Sequence, residues 1–345
     1  MAKKMDKALG SLDALYKKYE GQKPKLNDSV RRLDNPFPSF DRYLGGGPGI
    51  GKITTYAGKY STGKTSLALQ MAGYNKDADI GFLDCEFEWT EASYKWVYDY
   101  FGIERERIHV LQPEYLEEAA NIVYDMCDIC DIIIHDGLTS IGSAAEFQDD
   151  MQSTKMGTDA RIINKFFKKF RGRVYKTDTA LLMTNKVYDN IGNTFEPIVE
   201  PGGKGVGYYP AQKLRLSLAN AKDGTEVIGQ KVNVTVNKDK LSGNRGKRFT
   251  LYYYNGVGFD ILQDVVDNAV DFDIINKSGS WYAYDGTKLG QGSNKVKEFI
   301  KDNEGLEAEI RARIDESIIE ERINIENESE ENLTIPELQD ATSTD

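Results

Sequence analysis

An α/β fold, built on a twisted and mostly parallel sheet with helices on both faces, is predicted by three features of this 345-residue chain. Short apolar runs rich in β-branched residues alternate with stretches of helical period, the pattern of strand-helix-strand units. A glycine-bearing stretch, GKYSTGKTSL from Gly58 to Leu67, stands between one such run and one such helix. Three of the runs end in polar residues (Glu86, Asp136, and Asn185 with Lys186), and in parallel sheets ligands collect at the carboxyl ends of the strands.

Taken in order, KALGSLDALYKKYEG sets Leu9, Leu12, Leu15 and Tyr16 on one face of a helix that needs a partner. The polar, proline-broken segment that follows makes residues 1–37 an arm and linker, suited to packing on another subunit. GGPGIGK (Gly46 to Lys52) fits GxxxxGK, but Ile53 stands where a hydroxyl is required, so it reads as a loop entering the strand KITTYA. After the glycine stretch, LALQMAG continues a helix. Next come IGFLDCE as a strand, a Tyr- and Trp-rich helix from Glu91 to Phe101, the strand RIHVLQP, and a helix from Tyr115 to Cys130. DIIIHD and TALLMTN are the following strands, separated by the long segment from Gly137 to Lys176.

The spacing GxxxxGK[ST], between a strand and a helix, is that of a phosphate-binding P-loop. Gly58, Lys59, Tyr60, Ser61, Thr62, Gly63, Lys64, Thr65 and Ser66 then form a cradle whose backbone N–H groups face a triphosphate at a helix N-terminus. Lys64 meets the β- and γ-phosphates and Thr65 holds Mg²⁺. Asp136, an acid ending an apolar strand, suits a carboxylate that supports the metal, and Glu86 suits a group that aligns or deprotonates water. Asn185 and Lys186 lie where they can feel the γ-phosphate. Each of these also has a plain reading as a strand-terminal turn residue.

Composition excludes several classes. No apolar run approaches the roughly 18 residues of a membrane-spanning helix, and MAKKMDKALG lacks a hydrophobic signal core, so a cytoplasmic protein with no membrane partner is expected. Two histidines, His109 and His135, leave little room for histidine chemistry. Cys127 and Cys130 form a CxxC without further ligands, which reads as core rather than as a zinc or redox site. The net charge of −11 is concentrated at one end. From Asp315 to Asp345 eleven carboxylates face Arg322 alone, a net of −10, so the rest of the chain is close to neutral. Such a block is either a solvated tail or a shield over a basic binding surface.

Two glycine-containing segments, Glu146 to Gly157 and Val187 to Gly205, are too polar for core and too long for ordinary connections, which makes them candidate binding loops. The second carries Phe195, able to wedge between bases, and Gly202 and Gly203, whose backbone can approach phosphates. Lys165, Lys168, Lys169, Arg171 and Arg173 supply nearby positive charge or simply a solvated helix face.

These motifs, in this order, resemble the RecA recombinases, a family with bacterial and phage-encoded members. FLDCEFEW resembles the segment bearing the family's catalytic glutamate, and IIIHDGLTSI its Walker B strand. KMGTDARIINK is similar to the stretch closing the first DNA-binding loop, which brings in Met156 and Arg161, and MTNKVYDNIGNTF with PGGKG is similar to the second. GSWYAYDGTKLGQGSNKVKEFIKDN resembles the family's small C-terminal domain, which other RecA-like ATPases lack.

The resemblance implies a RecA-like P-loop ATPase core at 38–258, a small C-terminal α/β domain at 259–314 and an acidic tail at 315–345. It implies ATP and Mg²⁺ as cofactors, single- and double-stranded DNA as partners, a homo-oligomeric helical filament, and strand exchange in recombination and repair. Tyr94 is the implied adenine-stacking residue, with Tyr98 as the alternative. Lys238 and Lys240, in VTVNKDKLSG, resemble the pair that reaches a neighbour's ATP; otherwise they belong to a charged hairpin turn. One departure is chemical: bacterial members usually carry glutamine where this chain has Lys186. A ring-forming helicase would share the P-loop, Glu86 and Asp136 but needs neither arm nor WYAYDG module. A non-hydrolysing DNA-coating scaffold would not need Glu86.

Overall fold

A computed structural model describes residues 14, 15, 17–20, 30–148, 157–190, 198–219 and 229–333. The apolar runs become β1 (Ile53–Gly58), β2 (Ile80–Asp84), β3 (Ile108–Leu111), β4 (Ile132–Asp136) and β5 (Ala180–Lys186). With β8 (Gln212–Leu218) they make the parallel part of a sheet, which antiparallel β9 (Gln230–Asp239), β10 (Arg248–Tyr254) and β11 (Gly258–Phe259) extend. Among the described residues the order is β11-β10-β9-β8-β1-β5-β4-β2-β3.

Alternation along the strands explains why both faces are covered. Ile132, Ile134 and Leu182 join one buried cluster, whereas Ile133, Leu181 and Met183 join the other, as a two-residue period requires. On the first face lie α2 (Lys64–Tyr74) and α3 (Glu91–Phe101), through Leu67, Leu69, Met71, Val97 and Phe101. On the second lie α4 (Leu116–Met126) and, after the short α5 (Ala144–Gln148), α6 (Thr158–Thr177), the last through Phe166, Phe167 and Phe170. Each of those phenylalanines is buried, worth on the order of 2–3 kcal/mol relative to an exposed ring. Cys127 and Cys130 pack into the same cluster as free thiols, pushed up to about 11 by burial.

The upstream glycine run enters the sheet as a loop. Helix α1 (Pro38–Leu44) ends at Gly45, Gly49 bridges to Arg32, and the Arg32 Nη1 donates to the carbonyl of Gly47 (2.9 Å). After β11 the chain forms α8 (Ile261–Asp271), an antiparallel sheet of β12 (Asn276–Ser278), β13 (Trp281–Tyr284) and β14 (Thr287–Gln291), then α9 (Ser293–Asp302) and α10 (Leu306–Leu333). These share their own core, including Val265, Val266, Tyr282, Val296, Ile310, Ile314 and Ile318.

Helix α10 runs straight through position 315, where charge counting alone begins an acidic tail. Ile318 is buried, and Glu321 takes a two-pronged hydrogen bond from the guanidinium of Arg42 (3.0 Å each). The first part of the acidic segment is therefore built into the fold. Residues 1–31 form a separate unit, in which residues 14, 15, 17 and 18 are helical and Leu15 is 50% exposed. No helix among the described residues is long and apolar enough to cross a membrane.

Candidate nucleotide and DNA site

Parallel register brings the polar strand ends together. Gly58 is paired with Lys186, and Asp84 with Asp136, so β1, β2, β4 and β5 release their chains along one edge of the sheet. There they border a cleft of about 760 Å³ lined by Gly58 to Ser61, Gly63 to Ser66, Glu86, Glu88, Asp136, Lys186 to Asp189, and Tyr253. Thr62 is buried beneath the loop, its hydroxyl donating to the carbonyl of Lys59 (2.9 Å).

Gly63 caps α2 at φ +76°, a conformation that favours glycine, and a Cβ there would meet the Phe259 and Tyr253 rings at 2.9 Å. Sequence and packing thus demand the same residue. The helix that it opens aims the first-turn N–H groups into the cleft and carries Lys64 and Thr65. The Lys64 Nζ donates to the carbonyl of Lys59 (2.8 Å), and burial lowers its pKa against the opposing pull of Asp136 and Glu86.

Thr65 Oγ1 donates to both oxygens of Asp136 (2.8 and 3.0 Å), and Thr184 Oγ1 donates to one of them (2.5 Å). Burial raises the Asp136 carboxyl to about 6, with those two hydroxyls opposing the shift. A hydroxyl beside a carboxylate offers the hard oxygen donors that Mg²⁺ takes, and Mg²⁺ characteristically uses one or two protein ligands alongside substrate phosphates. The donor set fits that ion. Glu86 Oε1 accepts from Ser140 Oγ (2.9 Å) and lies 3.3 Å from Lys186 Nζ. A second pair joins Lys59 in the phosphate loop to Asp189 (2.7 Å) on β6 (Tyr188–Asp189).

β6 pairs with β7 (Ile198–Val199), so the two ends of the second candidate DNA loop are stitched together. Asn185, next to Lys186, donates to Glu200 Oε1 (3.0 Å) and to the Pro201 carbonyl (3.1 Å), and Glu200 in turn pairs with Lys213 (2.7 Å). That chain of contacts reaches Pro201, just before Gly202 and Gly203, the second of which caps the short helix α7 (Lys204–Tyr208). Gly203 sits at φ +74°, where a Cβ would meet Ala160 Cβ at 2.8 Å, so the glycine allows close packing on α6 beside Arg161. Arg161 is exposed on the first turn of that helix, which Gly157 caps. Met156 and Phe195 lie outside the described residues.

Other sequence-expected residues fall elsewhere. Tyr94 does not line the cleft. Helix α3 begins after Thr90, whose N–H donates to Ser93 Oγ (3.0 Å), and this turns Tyr94 into a shallow depression with Tyr98, where the Arg105 guanidinium covers its ring at 4.2 Å. The cleft's own aromatic residues are Tyr60, Tyr188 and Tyr253. Lys238 and Lys240 are also absent from its lining. The Lys238 Nζ donates to the carbonyls of Gly207 (2.9 Å) and Tyr208 (2.7 Å), and burial, with Lys240 and Lys213 nearby, lowers it to about 8. Within the basic run, Lys169 donates to Asn121 (2.7 Å), Arg173 pairs with Asp128 and Arg171 lies over Tyr209 (5.8 Å), while Lys165 and Lys168 are exposed.

Sequence reasoning passes over Thr184, Ser140, Glu200, Asp189 and Tyr253. Thr184 alone left a signal: it stands one place before Asn185 in a strand paired with the one ending at Asp136.

Comparison with known proteins covers most of the chain. The family model described as the RecA N-terminal domain matches residues 4–258, and that of the RecA C-terminal domain matches residues 263–319. Protein RecA of Chlorobaculum tepidum is 32% identical over 284 residues, 80% of this chain and 80% of that protein. Protein RecA of Clostridioides difficile is 30% identical over 324 residues, covering 90% and 91%. Protein RecA of Aquifex aeolicus is 31% identical over 279 residues, or 79% of each.

Proposed function

The chain belongs to the RecA family, and from that premise we propose a division of labour among the residues of its cleft. The protein is an ATP-hydrolysing, DNA-dependent recombinase: it binds DNA, forms filaments and acts in recombination and repair. Lys59 to Ser66 cradle the triphosphate, with Lys64 on the β- and γ-phosphates. Thr65 and Asp136 hold Mg²⁺, which when bound supplies neutralisation of phosphate charge. Glu86 takes a proton from the attacking water. Tyr253, whose ring packs against Gly63 in the cleft, stacks on the base in place of Tyr94 and Tyr98, which lie outside it.

DNA is assigned to the two loops, with Met156, Arg161, Phe195, Gly202 and Gly203 on single-stranded DNA in a helical filament that then pairs with homologous duplex. The acidic segment beyond α10's buried turns competes with duplex for this surface. Lys238 and Lys240 serve the ATP of the neighbouring subunit.

One observation carries the chemistry: Thr65 donates to Asp136 in the same cleft that Lys64 and Glu86 border. The family match over residues 263–319 favours the recombinase over a ring helicase. Electron microscopy with single-stranded DNA and a slowly hydrolysed ATP analogue tests the assembly. Open helical filaments are expected, and closed rings would overturn the reading.

A further inference from the structure

Two of the three lysines bordering the cleft are already engaged by carboxylates: Lys59 by Asp189 and Lys186 by Glu86. The second pair involves the very group that must receive a proton from water. Glu86 Oε1 faces both the Lys186 ammonium (3.3 Å) and the Ser140 hydroxyl (2.9 Å). An oxygen so engaged is a poorer acceptor for a third donor. Lys186 also lies at the end of β5 in register with Gly58, the first residue of the phosphate loop, so its ammonium borders the space a terminal phosphate would enter.

We propose that Lys186 is a latch on Glu86, released by the γ-phosphate. The inference rests on the reading of Glu86 as the water-activating base and adds a control to it. A terminal phosphate carries more negative charge than a carboxylate and presents several acceptor oxygens, so it outcompetes Glu86 for the ammonium. Transfer of Lys186 leaves Glu86 Oε1 with the Ser140 hydroxyl and room for a water. A diphosphate ends at the β-phosphate, has no γ-phosphate to place beside Lys186, and leaves the pair intact. The base is thus made available only when there is a bond to cleave, and part of the triphosphate's binding energy is used to break the pair. A neutral glutamine at this position could not form the ion pair, so the device is specific to the lysine.

The pair is partly exposed, with side-chain exposures of 44% for Lys186 and 31% for Glu86, so its worth is that of a screened surface pair. Calorimetric titration of the full chain without DNA, using a non-hydrolysable ATP analogue and ADP, gives the test as a double-mutant cycle. Glu86→Gln should tighten the triphosphate analogue roughly two- to fivefold while leaving ADP affinity unchanged. In the Lys186→Gln background that gain should vanish. Simple relief of repulsion between Glu86 and phosphate predicts the opposite, a gain as large or larger once the lysine is gone. An equal or larger gain there, or the same gain for ADP, overturns the latch. Unchanged ADP affinity in Lys186→Gln shows that the cleft is intact. Rings in place of filaments would overturn the proposed function, whereas an additive cycle in a filament-forming protein sinks the latch alone.

Discussion

Glu86 stands two residues beyond the end of β2, and its surroundings explain why a carboxylate there can be both held and used. Replacement by glutamine keeps the shape and the hydrogen bond from Ser140 but removes the carboxylate proposed as the base. Turnover of ATP with DNA should fall by about 10²-fold or more, because a positioned base contributes roughly 10² to 10⁴, while nucleotide and DNA binding persist and filaments live longer. Steady-state ATPase assays decide the matter: a variant that hydrolyses at the parent rate makes Glu86 a turn residue. Glu86, Asp136 and Lys186 were legible because each ends an apolar run, which marks the ligand edge of a parallel sheet. Thr184 and Ser140 were not, since a hydroxyl is unremarkable in sequence until registry sets it against a carboxylate. Tyr94 shows the converse. Its motif is recognisable, yet where its ring lies depends on how α3 starts and on Arg105, which motif matching does not encode.

At the scale of elements, apolar periodicity marked β1 to β5 and the Glu91–Phe101 helix to within about two residues. Charge counting did worse at the C-terminal end, because it ignored Ile310, Ile314 and Ile318, whose four-residue spacing buries one face of α10 despite the surrounding acids. The joint between α1 and α8 was equally hidden. Asp264 on α8 accepts from the N–H (3.0 Å) and the hydroxyl (2.5 Å) of Ser39 on α1, and burial raises its carboxyl from 3.8 to about 7. The Ser39 bonds and Arg311 oppose that shift, whereas Asp267 reinforces it. A carboxyl raised on folding binds more protons in the native than in the unfolded state, so its contribution to stability is greatest below about 4 and is lost as pH rises towards about 7. Asp264→Asn cannot titrate. Thermal melts across this window should show the variant gaining on the parent by several degrees as pH rises, with the difference levelling off above about 7. A constant offset between the two proteins at every pH would mean that Asp264 does not titrate in this range.

For the whole molecule, the decisive feature is what the cleft leaves unused. Lys238 and Lys240 do not border it; Lys238 leans on the Gly207 and Tyr208 carbonyls, and burial together with Lys240 and Lys213 holds its pKa down to about 8. An anionic partner would relieve that strain between like charges. Tyr208, 71% exposed, lies in the same group. If subunits stack head to tail, a contact that does not close generates an open helix, and this basic corner can meet the next subunit's triphosphate. The lysines would then act as arginine fingers do, stabilising transition-state charge only in the assembled filament, which makes hydrolysis depend on DNA. Mixing two inactive proteins separates action across the interface from action within a subunit. Neither Lys64→Ala nor Lys238→Ala/Lys240→Ala should hydrolyse ATP with DNA alone. Co-assembled, they should recover part of the parent activity, because some interfaces pair an intact phosphate loop with intact lysines. In random equimolar filaments one interface in four is of that kind, so recovery should approach roughly a quarter of the parent rate if interfaces fire independently. Mixed filaments that stay inactive would confine both lysines to their own subunit, where Lys238 does no more than fasten the turn at Gly207 and Tyr208.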